Sequence, residues 1–146
     1  MPLSNLSLSS ARLQLTLSNS RQDLEPARQA VLDFLEAQTT LSTVIFKMEL
    51  ILEETLMNII WHAFNDQETH PIDLTIELEP GVIVMQFEDD GVEFNPLLAL
   101  APALPSSIDM AEVGGLGLML VRKFAQSMTY ERANNRNCLR IKVAAA

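Results

Sequence analysis

The stretch FKMELILEETLMNIIWHAFN, Phe46 to Asn65, contains neither glycine nor proline and predicts one long helix. At about 100° per residue, Ile45, Met48, Leu52, Leu56, Ile59 and Ala63 fall on one side as a broad apolar stripe. Lys47, Glu54, Asn58, His62 and Asn65 gather on a second stripe, roughly 140° around the axis. Glu54 and Asn58 are one turn apart, so their side chains lie one above the other and can grip a common object. Taken alone, such a stripe is also what an ordinary solvated helix face looks like.

Working outward, Ala11 to Ser18 alternates Leu13, Leu15 and Leu17 with polar residues, the pattern of a half-buried strand. The Ser-rich residues Met1 to Ser10 are expected to be flexible or to add an edge. Asn19-Ser20 can cap the next element, an amphipathic helix from Asp23 to Gln38 with Pro26 in its first turn. Ser42 or Thr43 is the expected cap of the long helix. On the other side, Ile72, Leu74, Ile76 and Leu78 alternate with acids and Thr75. Pro80-Gly81 turns the chain into a second alternating strand, Val82 to Phe87, giving a β-hairpin. From Val92 to Val113 the periodicity dissolves, and a connection of that length in a compact domain is usually functional. GGLGLMLVRKF then opens another amphipathic helix. Two short strands flanking Asn134-Asn135 close the chain. This order predicts an α+β fold: a two-layer sandwich whose mixed, mostly antiparallel sheet is covered by helices on one face.

A chain of 146 residues, 48% of them apolar, is long enough for one domain with a real core, taken to run over residues 11–146. The net charge of −9 argues against direct nucleic-acid binding through a phosphate-neutralising surface. It leaves a nucleotide site open, because backbone N–H groups and a metal ion can hold phosphates. Cys138 is the only cysteine, so no intramolecular disulfide forms and a reducing cytoplasm fits. No secretory signal and no membrane span is expected.

Two further motifs carry possible chemistry. Asp89-Asp90-Gly91 ends a strand: the acid accepts a hydrogen bond from a ligand amino group while the glycine lets a flat ring approach the backbone. In isolation, a plain acidic turn is the better explanation, because Asp-Gly is among the commonest turn pairs. Gly114-Gly115-Leu116-Gly117-Leu118 precedes a helix, whose unsatisfied N–H groups and dipole favour an anion. It is neither a Walker loop nor a dinucleotide fingerprint.

The order Glu-x-x-x-Asn, Asp-x-Gly, Gly-x-Gly resembles the ATP-binding (Bergerat) domain of the GHKL superfamily. Within it, EETLMNIIWHAF, DDGVEFNP and GGLGLMLVRKF resemble the anti-sigma factor serine kinases of bacterial partner-switching systems. The resemblance runs from about Leu13 to Val143. It implies that Asn58 holds Mg²⁺ and that Asp89 binds the adenine amine of ATP, with Gly91 giving room. It further implies that Gly114, Gly115, Leu116, Gly117 and Leu118 receive the phosphates, that residues 92–113 form an ATP lid, and that Glu54 is the general base. His62, one turn further along the Glu54/Asn58 stripe, is expected either at the ribose or phosphate edge or in a structural hydrogen bond. The implied partner is an anti-anti-sigma protein of the STAS type whose serine is phosphorylated, with a sigma factor as the regulated target and a homodimer compatible with the style. Glu93 stands where relatives often carry a second glycine, and the lid contains no Lys or Arg. These departures favour an alternative of a different class, a nucleotide-binding module that switches partners without transferring phosphate.

Overall fold

The computed structural model describes residues 4–8, 12–38, 40–99 and 115–146. Strands β1 (Ser4–Leu8) and β2 (Arg12–Ser18) lead through a 3₁₀ turn at Arg21–Asp23 into helices α1 (Leu24–Ala37) and α2 (Ser42–His62). The hairpin β3 (Pro71–Glu79) and β4 (Val82–Asp89) follows, then the single turn α3 (Pro96–Ala99), helix α4 (Gly115–Phe124), and the hairpin β5 (Ser127–Ala133) and β6 (Arg136–Ala144). The strands form one sheet in the order β1-β2-β3-β4-β6-β5. Every pairing is antiparallel, so the parallel component allowed by a mixed sheet is not found among the described residues. Ser4–Leu8 pairs with β2 as an edge strand.

Strand parity builds the core. Leu13, Leu15 and Leu17 of β2, Ile72, Leu74 and Ile76 of β3, Ile83, Met85 and Phe87 of β4, and Leu139, Ile141 and Val143 of β6 are all buried. They meet Val31, Phe34 and Leu35 of α1, Met48, Ile51, Leu52, Leu56 and Ile59 of α2, and Val121 of α4 in a single cluster. The intervening strand residues form a mostly polar outer face, with Val82 and the buried Val84 among its apolar exceptions, where Asp73 accepts from Thr16 Oγ1 at 2.7 Å and pairs with Arg136 at 2.9 Å. The turns carry the conformations their residues favour: Gly81 has φ +74°, and Asn134 and Asn135 have φ 54° and 59° in the two-residue β5–β6 connection.

The central helix differs from its expected limits. Leu41, extended, is its N-cap; Val44 and Ile45 N–H groups donate to its carbonyl, so Ser42 and Thr43 lie inside the first turn and cap nothing. Ala63 ends the helix, and Asn65 falls beyond it. The buried face is also wider than the apolar stripe: it includes Thr55 and Asn58, because α2 is flanked by α1 and α4 while lying on the sheet. No helix among the described residues is long and apolar enough to cross a membrane.

Candidate functional site

Asp89, the last residue of β4, stands opposite Asn137 of β6, and both hold inward-facing positions on strand faces that are otherwise apolar. Asp89 is only 2% exposed. One of its oxygens, Oδ1, accepts from Gly91 N at 2.9 Å and from Asn137 Nδ2 at 2.8 Å. Burial raises its carboxyl pKa, which these two hydrogen bonds partly offset. Oδ2 remains as the acceptor for an incoming donor.

Gly91 is required by contact. A Cβ there would lie 2.2 Å from the Ala63 carbonyl oxygen, and the next residue, Val92, donates its N–H to that same oxygen at 2.7 Å. The turn after β4 is thereby tied to the C-terminus of α2.

A second tie runs through His70. Its Nε2 lies 2.8 Å from Asp66 Oδ2 and its Nδ1 3.0 Å from Asp90 Oδ1, while the ring stacks on Phe64. Both nitrogens donate only in the imidazolium, so the carboxylates raise the His70 pKa, Asp66 most strongly. Asp66 is lowered in turn, first by the Glu68 N–H and then by His70. The stabilisation from His70 is therefore complete below its unfolded value of 6.5 and is lost as pH rises through the higher folded value. The urea midpoint should fall as pH rises above 6.5, and His70→Gln should flatten that slope; equal slopes in the two proteins would remove the latch.

Asn58 of α2 is 4% exposed, and its Nδ2 donates to the Glu54 carbonyl at 2.7 Å. Its Oδ1 is left as the available end. Asn58, Asp89 and Leu118 line one cavity of about 10 Å³, with Thr55, Tyr130 and Asn137 in the same wall. Phe94 and Pro96, the beginning of the predicted lid, close it. Residues 100–113 of that lid and Gly114 lie outside the described residues. Gly115 opens α4, so the N–H groups of Gly115 to Leu118 belong to a first helical turn with no intrahelical acceptor.

Glu54, half-buried on α2, reaches this turn: a Cβ on Gly117 would fall 1.8 Å from Glu54 Oε2. The glycine is a cradle occupied by a carboxylate. Desolvation, and then the charge of Glu53, raises the Glu54 pKa and makes it a stronger base than a free carboxylate. His62 stands apart from the cavity wall, exposed, its ring stacked on Phe94 with centroids 5.0 Å apart.

Asn137 was not singled out from the sequence, yet the site hangs on it. Besides Asp89, its Nδ2 reaches Val92 O at 2.8 Å, and its Oδ1 accepts from Phe94 N, Arg132 Nη1 and the Tyr130 hydroxyl. It joins the acid to the first residues of the lid. Its signal was parity: Asn137 shares the inward phase of Leu139, Ile141 and Val143, where a polar side chain needs buried partners.

The histidine kinase-like ATPase domain matches residues 17–143, nearly the whole chain. The protein belongs to that family. Among curated proteins it is similar to the serine/threonine-protein kinase BtrW of Bordetella bronchiseptica, 35% identical over 94 residues that make up 64% of this chain and 66% of that one, just under two thirds of the relative. Among solved structures it is similar to the SiaB–SiaC complex from Pseudomonas aeruginosa, with a TM-score of 0.62, 18% identity and 88% of each chain covered. The histidine kinase domain of an Erythrobacter litoralis blue-light activated kinase matches with a TM-score of 0.53 at 15% identity, over 84% of this chain and 59% of that one. These two share the fold.

A magnesium ion fits the donors only in part. No cluster of three or more His, Cys, Asp or Glu suited to a metal occurs among the described residues. One amide oxygen on Asn58 suits an ion that takes most of its oxygens from phosphate and water.

Proposed function

We propose that this ATPase-family domain is a serine protein kinase of the anti-sigma type, which binds Mg-ATP and phosphorylates a serine of a STAS-type anti-anti-sigma partner, freeing or sequestering a sigma factor as that partner changes state. The observation that carries the reading is the Glu54 carboxylate lodged against Gly117, one turn from Asn58, beside the cavity shared by Asn58, Asp89 and Leu118.

Asp89 Oδ2 accepts from the purine amino group, while Asn137 and the Gly91 N–H hold Oδ1 still. Phe94 and Pro96 swing outward to admit the ring, since about 10 Å³ holds no more than a single water. The first turn of α4 offers its N–H groups to the phosphates, and Gly117 leaves room for the Glu54 carboxylate beside them. Asn58 Oδ1 would hold a magnesium ion, which when bound would neutralise phosphate charge. Glu54 takes the proton of the partner's serine hydroxyl as that oxygen bonds to the γ-phosphorus and the bond to the β-phosphate bridging oxygen breaks, leaving ADP. Positioning and fixed dipoles supply the rest of the rate.

The serine/threonine kinase named among the relatives supports this reading for the shared segment. The second reading, a module that binds nucleotide and partner without transfer, is favoured by exposed Glu93 where relatives often carry glycine and by the absence of Lys and Arg from the sequence of residues 92–113. Labelled ATP, Mg²⁺ and a STAS-type protein separate the two: label on a partner serine supports the kinase, and nucleotide binding with no label supports the module.

A further inference from the structure

Thr55 is an anomaly in this site. It is 2% exposed, and its hydroxyl is the one buried side-chain polar atom without a hydrogen-bond partner among the described residues. A helical threonine usually returns its hydroxyl to a carbonyl one turn back, and a buried hydroxyl that bonds nothing is unfavourable. Each other polar residue of the same wall makes at least one hydrogen bond: Asn58 Nδ2 with the Glu54 carbonyl, Asn137 Nδ2 with Asp89 and with the Val92 carbonyl, the Tyr130 hydroxyl with Asn137. Thr55 lines the same cavity as Asp89.

We propose that the Thr55 hydroxyl is a ligand-binding group at the base end of the nucleotide pocket, donating to a ring nitrogen of the purine beside the amino group that Asp89 accepts. The proposal rests on the nucleotide reading given above. Asp89 is an acceptor only and calls for a donor on the ligand; Thr55 supplies the donor that Asp89 lacks. Together they match a ring edge that sets a donor next to an acceptor, as the amino group and adjacent ring nitrogen of a 6-aminopurine do. The orphaned hydroxyl is then a group kept ready for a ligand at some expense to the free fold.

A fold role and a ligand role make opposite demands on Thr55→Val, which keeps the shape and removes the hydroxyl. Melting of the ligand-free protein and calorimetric titration with Mg-ATP are measured on wild type, Thr55→Val and Thr55→Ser. The valine variant should melt at the same temperature or higher, yet bind ATP about tenfold more weakly, the loss of roughly one hydrogen bond. Serine, which restores the hydroxyl, should bind within about twofold of wild type on the same reasoning. Unchanged ATP affinity in Thr55→Val overturns the proposal, and so does a lowered melting temperature, which would show that the hydroxyl serves the fold. A wild-type protein that binds no ATP overturns the nucleotide reading beneath it.

Discussion

Glu54→Gln is expected to abolish transfer of phosphate to the partner serine while leaving Mg-ATP affinity within a few-fold of wild type. Glutamine keeps the length and the contact with Gly117 but cannot take a proton. Loss of a general base lowers the rate by about 10²- to 10⁴-fold. The effect is specific to chemistry because Glu54 is placed beside the first turn of α4 rather than in the wall of the base cavity. Gly117→Ala attacks the same geometry from the other side: the added methyl meets the flexible end of Glu54, so the carboxylate must swing away while the backbone stays. Transfer should fall in both variants, with ligand-free melting temperatures close to wild type. Single-turnover transfer measured beside calorimetric affinity checks this; transfer undiminished in Glu54→Gln would remove it as the base.

Asp89→Asn is the second large effect, and its two halves run in opposite directions. The asparagine oxygen can still accept from Gly91 N and Asn137 Nδ2, the two partners that hold Asp89 now. The new amide nitrogen replaces the free oxygen and presents a donor where the purine amino group is also a donor. A charge-assisted hydrogen bond becomes a mismatch, and ATP affinity should drop by about 100-fold or more. The fold should not suffer. Burial raises the Asp89 pKa above its unfolded value of 3.8, so the ionised form costs stability in full above the folded value and not at all below the unfolded one. A neutral amide at pH 7 removes that cost. The variant should therefore melt at the same temperature as wild type or higher while failing to bind ATP in calorimetry. A lowered melting temperature with ATP affinity retained would mean that Asp89 is a structural acid.

The strands and helices were legible because apolar spacing is dictated by burial. Leu13 to Leu17 and Ile72 to Ile76 announced their inward faces, and Phe46 to His62 its helix. The start of α2 was misplaced because Ser42 and Thr43 look like caps, whereas the extended Leu41 backbone performs that task with no side-chain hydrogen bond. Of the residues in the three motifs, Asn58, Asp89 and Leu118 line one cavity, whereas Gly117 meets Glu54 and neither belongs to that lining. What a linear reading could not supply was their support. Asn137 lies 48 residues from Asp89 and looks like one more turn asparagine until β4 and β6 are put in register. Thr55 looks like a neutral neighbour of Glu54 until α2 is rolled onto the sheet. The latch of His70 on Asp66 and Asp90 likewise depends on how the α2 end and the β4 end meet, which no local spacing encodes.

The most direct measurement is a titration of isotope-labelled protein with Mg-ATP, followed at the backbone amides by NMR. Resonances of Asn58, of Asp89 and Gly91, and of Gly115 to Gly117 should move together and saturate at one common ATP concentration, with the Val92 to Asn95 hinge shifting alongside. Saturable shifts confined to one of these segments, or no saturable shifts at all, would contradict a single nucleotide pocket built from the three.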